Sequence, residues 1–160
     1  DGRFNRQQRA LHDLVCRAQA AALAQARPGL PYEAGHDAAV ATLAEGLLSL
    51  GLLQGTLKAV LADGTYKRYY RHKTGHWLGL DVHDVGEYRI DGASRLLEPG
   101  MVFTIEPGLY IPADDASVPA KWRGIGIRIE DDVLVTGDGH RVLTGALERS
   151  ADEVEALMAC

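Results

Sequence analysis

Cysteine is scarce in this chain: of 160 residues, only Cys16 and Cys160 are of that type. Cys16 lies inside an apolar helical pattern and Cys160 is the last residue, so no disulfide framework can be read, and a reducing compartment, the cytoplasm, is the expected location. Long apolar runs are missing too. No stretch approaches the roughly 18 to 20 residues of a membrane span, and no basic, apolar, small-residue leader opens the sequence, which argues against a secreted or anchored chain. Nor is positive charge in excess. The 17 Lys and Arg against 22 Asp and Glu leave a net charge of -5, which offers no electrostatic footprint for nucleic acid or anionic lipid. Neither partner is expected. Internal repeats, low-complexity tracts and linkers are absent, and the first residue is Asp1 rather than Met.

What the sequence does have is a hydrophobic content of 46% over a length that suits one globular domain, residues 1–160, with a core. From Asn5 to Ala26 the residues Leu11, Leu14, Val15, Ala18, Ala22 and Ala26 recur at helical spacing, with Asn5 and Gln8 as a start signal and Pro28 and Gly29 as a stop. A second helix is expected from about Tyr32 to Leu50, with Val40, Leu43, Leu47 and Leu50 on one stripe and Gly51 ending it. A shorter amphipathic piece covers about Leu57 to Ala62. After Tyr70 glycine becomes frequent and the period drops toward two. Met101 to Glu106, Gly124 to Val135 and Arg141 to Leu143 read as strands, and Ser150 with Glu153 makes a capping box for a last helix, Ala151 to Met158. Helices first and strands later imply an α+β fold.

Chemistry concentrates in the second half. The segment HKTGHWLGLDVHD, 72–84, holds three histidines and two aspartates within thirteen residues. On a regular strand His76 and His83 would point to opposite faces, so a bend at the glycines is required if they share a pocket. Glu106 ends the strand MVFTIEPG, with Val102 and Thr104 on its face. In GIGIRIEDDVLV the isoleucines 125, 127 and 129 share one face, and Arg128 and Glu130 share the other. Val133, Leu134 and Val135 follow without a turn residue, so the strand is expected to continue through Glu130, burying a charge that must be paired or metal-bound. Each element also has a plain reading: a polar loop, a solvated strand end, an Arg to Glu pair. Together they offer an N/O ligand set suited to divalent zinc, manganese or iron. His12, His36 and His140 have no acidic or histidine cluster beside them and read as packing or surface residues. Ser94, Ser117 and Ser150 lie in turn or cap contexts, so no nucleophilic triad is read.

The ordered series HKTGHWLGLDVHDVGEY, LEPGMVFTIEPGLYIP, WRGIGIRIEDDVLVT and SADEVEALMA resembles aminopeptidase P, the Xaa-Pro aminopeptidase branch of the pita-bread metallopeptidases, along essentially the whole chain. The resemblance implies a pita-bread fold, incomplete at its N-terminal side, with His76, Glu106 and Glu130 as metal ligands, Glu130 bridging two ions and Glu106 also shuttling protons. It implies that His72 and His83 hold the scissile carbonyl and its developing charge, that Arg128 positions the carboxylates, and that Tyr110 supports the site. The implied reaction is hydrolysis of the peptide bond before a penultimate proline, by water activated between two divalent ions, usually manganese. The substrate would be a peptide with proline second, and the full-length enzyme a homo-oligomer.

One departure bears on activity. In the resembled family two further aspartate ligands lie on strands that precede the helix matching Asn5 to Ala26, and Asp1 matches only the turn before that helix. Asp81 and Asp84 belong to the histidine motif, so the chain alone is expected to be inactive. Prolidase, which shares these ligands, and a non-catalytic peptide-binding module of the same fold are the alternative readings.

Overall fold

The computed structural model describes residues 2–159; the readings that touch Asp1 and Cys160 fall outside them. Helix α1, Arg6–Leu23, starts where Asn5 and Gln8 form a capping box: the Asn5 carboxamide accepts from the Gln7 and Gln8 N–H groups, and the Gln8 side chain accepts from the Asn5 N–H. Its predicted end at Ala26 is three residues long. The chain tightens there into turns, Gln25 N–H to the Ala22 carbonyl and Ala26 N–H to the Leu23 carbonyl, but Ala26 stays in the core.

Helix α2, Glu33–Ser49, has no side-chain cap of its own. The Ser94 hydroxyl, distant in sequence, accepts from the Glu33 N–H at 3.0 Å and satisfies one of the orphan donors. The apolar stripes of both helices, Leu11, Leu14, Val15 and Ala18 on one and Val40, Leu43 and Leu47 on the other, are buried in one core. Helix α3, Leu57–Asp63, opens on the Thr56 hydroxyl and closes on Gly64 in the left-handed region at φ 72°. No described helix is long and apolar enough to cross a membrane.

Among the described residues the strands form three small sheets. β1, Arg89–Ile90, and β2, Ala93–Ser94, make a hairpin that the strand pattern did not predict. Its two-residue loop, Asp91 at φ 50° and Gly92 at φ 81°, has the geometry that favours Asp-Gly in tight hairpins. β3, Val102–Ile105, pairs with β6, Asp131–Val135, which pairs in turn with β7, His140–Val142. β4, Gly108–Tyr110, pairs with β5, Gly126–Arg128.

The expected single strand from Gly124 to Val135 is thus two strands, parted at Ile129 and Glu130. The cause lies opposite. Pro107 has no N–H to give to the ladder and restricts Glu106 before it, so pairing lapses on both strands at once. The Ile129 N–H still reaches the Pro107 carbonyl at 3.3 Å, and the register is the same on either side, Ile105 across from Asp131 and Gly108 across from Arg128. The four strands are one long bent hairpin, and the bend places Glu106 across from Glu130. Glu130 is consequently not buried: its side chain is 39% exposed and that of Arg128 52%, which corrects the expectation of a charge sealed inside a continuous strand.

Candidate functional site

The site is assembled from the bend of the hairpin and from the segment 72–84, which runs beside β3 without being a regular strand. The Thr104 N–H donates to the His76 carbonyl at 2.9 Å, the Glu106 N–H to the Thr74 carbonyl at 2.7 Å, and the Leu78 N–H to the Val102 carbonyl at 3.1 Å. This approach requires a glycine: a Cβ on Gly75 would lie 1.9 Å from the Thr104 carbonyl oxygen. Trp77, stacked on Tyr88 with ring centroids 5.4 Å apart and edge-on to Phe103, buries the neighbouring side of the segment.

Beyond Trp77 the chain turns back on itself, as a shared pocket for His76 and His83 required. The Asp84 N–H donates to the Trp77 carbonyl, and the Asp84 carboxylate accepts from the Leu80 and Val85 N–H groups at 3.1 and 2.9 Å. Asp84 is therefore spent on holding the loop. The clasp brings the exposed His83 ring to 4.4 Å, centroid to centroid, from that of His76.

His76, Glu106 and Glu130 each present a ligand atom, all within 4.8 Å of one another. Glu106 is 8% exposed. Its carboxylate accepts from the Thr104 hydroxyl at 3.0 Å, with His76 Nε2 at 3.3 Å from the same oxygen and Arg128 Nε 3.7 Å from the other. Arg128 also reaches Glu130, Nη2 to Oε2 at 3.6 Å. One guanidinium thus braces two facing carboxylates. A histidine nitrogen and two carboxylates are a donor set that fits a divalent ion, and two like charges set across a ladder without a cation would repel.

His72 stands slightly apart, its Nε2 2.9 Å from the Tyr110 hydroxyl and its Nδ1 2.7 Å from the Lys73 carbonyl oxygen. The structure thus groups His76, Glu106, Glu130, Arg128 and His83, and ties His72 to Tyr110. His12 and His140 pack elsewhere, His12 against Phe4 and His140 on the Ala26 carbonyl. His36 packs beside the segment that carries the site. Its Nδ1 lies 2.8 Å from the Thr74 hydroxyl, and burial holds its imidazole below the ordinary histidine value, with Lys73 adding to the effect. Only the fold could disclose that contact, because Thr74 is far away along the chain.

Residues 1–137 match the family model of metallopeptidase family M24. The chain is 49% identical over 159 residues to Xaa-Pro aminopeptidase 1 of Streptomyces coelicolor, covering 99% of this chain and 32% of that one. Among solved structures it is similar to the Pseudomonas aeruginosa aminopeptidase PepP, with a TM-score of 0.98, 50% identity and coverage of 99% of this chain and 36% of that one. A zinc-substituted Escherichia coli aminopeptidase P in complex with product gives a TM-score of 0.94 at 44% identity, again over 99% of this chain and 36% of that one. The architecture is the pita-bread fold of these proteins, and the chain spans about a third of the length of the relatives it matches.

Proposed function

Because the chain belongs to metallopeptidase family M24, we propose that it is the C-terminal portion of a Xaa-Pro aminopeptidase catalytic domain. The enzyme it contributes to would hydrolyse the peptide bond before a penultimate proline, with two divalent ions, manganese by preference. The observation that carries this reading is the convergence of His76, Glu106 and Glu130, from three separate segments, to within 4.8 Å, with Arg128 braced against both carboxylates.

On this reading His76, Glu106 and Glu130 hold the ions, which when bound would lower the pKa of a water molecule and polarise the scissile carbonyl. The residues of the chain do the rest. Glu106, held by the Thr104 hydroxyl and a backbone bond to Thr74, is the group placed to accept and return a proton. His83, set edge-on to His76, and His72, oriented by Tyr110, supply donors for the carbonyl and the charge that develops on it. Arg128 keeps the two carboxylates aligned. A cytoplasmic setting belongs to the same proposal, in keeping with the free thiol of Cys16, as does a homo-oligomeric full-length enzyme.

Three protein ligands do not complete a two-ion site, so the 160-residue chain is expected to bind manganese weakly and to cleave nothing alone. The test is calorimetric titration with Mn2+ of this chain and of a version extended upstream through the two expected aspartates, followed by assay on a tripeptide and a dipeptide with proline second. Uptake of two ions and tripeptide cleavage by the extended version alone supports the proposal. Cleavage of the dipeptide only assigns prolidase activity instead, and two ions bound without cleavage of either marks a binding module. Tight binding of two ions by the short chain means that other ligands complete the site and withdraws its inactivity.

A further inference from the structure

Beneath the site lies a polar cluster that the proposed chemistry does not use. The Thr74 side chain is buried, and its hydroxyl meets two partners, His36 Nδ1 at 2.8 Å and the Tyr70 hydroxyl at 2.6 Å. Tyr70 is buried as well, and its ring meets that of His72 edge-on, with centroids 4.9 Å apart. Thr74 in turn gives its carbonyl to the Glu106 N–H at 2.7 Å. Through one threonine, then, a histidine on α2 is connected to the ring packed against His72 and to the backbone of Glu106.

A threonine hydroxyl has one proton to donate, so the three groups can be satisfied only in a single direction at a time. Either Tyr70 donates to Thr74 and Thr74 to His36, or His36 donates to Thr74 and Thr74 to Tyr70. In both orders His36 decides which of the Thr74 and Tyr70 hydroxyls donates to the other. Without it, the two buried hydroxyls can exchange donor and acceptor roles, and the segment 70–76 loses its side-chain hydrogen bond to α2, keeping the ion pair of Lys73 with Glu33 at 3.9 Å.

We propose that His36 is a positioning residue for the candidate site, holding Thr74 and Tyr70 so that His72 and the carboxylate of Glu106 keep their places. The proposal rests on reading His72 and Glu106 as parts of one site, but the contact and its effect on Glu106 can be measured without metal or substrate. His36 borders a cavity of about 450 Å3, so amide side chains at this position meet open space rather than packed neighbours.

The experiment compares His36→Asn, His36→Gln and His36→Ala in the chain as it stands. Asparagine places its amide near the position of Nδ1 and glutamine near that of Nε2, so only asparagine retains a group that reaches the Thr74 hydroxyl. Amide hydrogen exchange of Glu106 and the imidazole 15N spectrum of His72 are read by NMR, with thermal unfolding as the control for global stability. In the alanine and glutamine variants the Glu106 amide is expected to exchange about tenfold faster and the His72 signals to shift. In the asparagine variant both are expected to stay close to the unmodified chain. Equal exchange in all four proteins overturns the proposal. So does a change common to all three variants that follows the melting temperature, because the residue is then only part of the packing. Failure of the extended version to bind Mn2+ would count against the metallopeptidase reading and leave this measurement intact.

Discussion

Glu106 and Glu130 face each other across an antiparallel register that keeps its count through a proline, from Val102 opposite Leu134 to Tyr110 opposite Gly126. Two carboxylates at directly opposed positions repel by a few tenths of a kcal/mol to about 1 kcal/mol. Arg128 relieves part of this repulsion, and a cation bound between them would relieve more.

A first prediction follows for the metal-free chain. Glu130→Gln is expected to raise its stability to urea by about 0.5 kcal/mol, and to reduce the stabilisation that added Mn2+ gives the unmodified protein. Urea titrations with and without Mn2+ measure both. Loss of stability in the metal-free variant would mean that the pair is not repulsive.

The chain is fastened immediately after Glu130. Asp131 is 1% exposed and accepts from the Thr144 hydroxyl at 2.6 Å and from the Arg149 guanidinium. Arg149→Met would leave a buried carboxylate without its cation, and a cost of about 3 kcal/mol is expected, the lower end of the usual range because Arg149 itself reaches solvent. Urea unfolding at neutral pH measures it. A cost below about 1 kcal/mol would show that Thr144 alone satisfies Asp131.

Acid sensitivity has a defined sign. Burial, the largest cause in both cases, lowers the pKa of His12 and of His36 below the ordinary 6.5. The unfolded chain therefore binds more protons at these groups than the folded one just below that value, so their contribution to stability is complete above about pH 6.5 and is lost as pH falls. The double variant His12→Asn and His36→Asn is expected to show a smaller drop in urea midpoint between pH 7.5 and pH 5.5 than the unmodified chain. An equal or larger drop would assign the acid sensitivity to other groups.

Two glycines of the histidine segment should respond differently to the same change. A Cβ on Gly75 meets backbone, the Thr104 carbonyl, whereas one on Gly79 meets the end of the Asp84 side chain. Gly75→Ala is expected to cost about 3 kcal/mol, because β3 and the segment must separate. Gly79→Ala is expected to cost under about 1 kcal/mol, since a side chain can move aside, while opening the loop clasp. Urea unfolding measures the costs, and the His83 imidazole NMR signal reports the loop.

Much of this was legible in sequence wherever the determinants are local. The capping boxes at Asn5 and Ser150, the apolar stripes of α1 and α2 and the alternation that sets Arg128 and Glu130 on one face all act within a few residues. The hairpin at Asp91 and Gly92 was local too, and its turn dipeptide was a usable signal in a stretch without strand-like alternation. The break at Ile129 was not visible on its own strand, because its cause, Pro107, sits across the ladder. Nor was the role of His36 visible, because Tyr70 and Thr74 come from a different part of the chain.

The bend at Glu106 and Pro107 divides the candidate ligand set into unequal partners. His76 and Glu106 are stitched together by main-chain bonds between their own segments, so their separation is dictated by the backbone. Glu130 lies at the crease between β5 and β6 and is held through its neighbours, Ile129 bonded to the Pro107 carbonyl and Asp131 bonded to Thr144 and Arg149. An ion of larger or smaller radius held there would be met by swinging one carboxylate while the other two groups stand still, which makes the crease an adjustable jaw set against a fixed one.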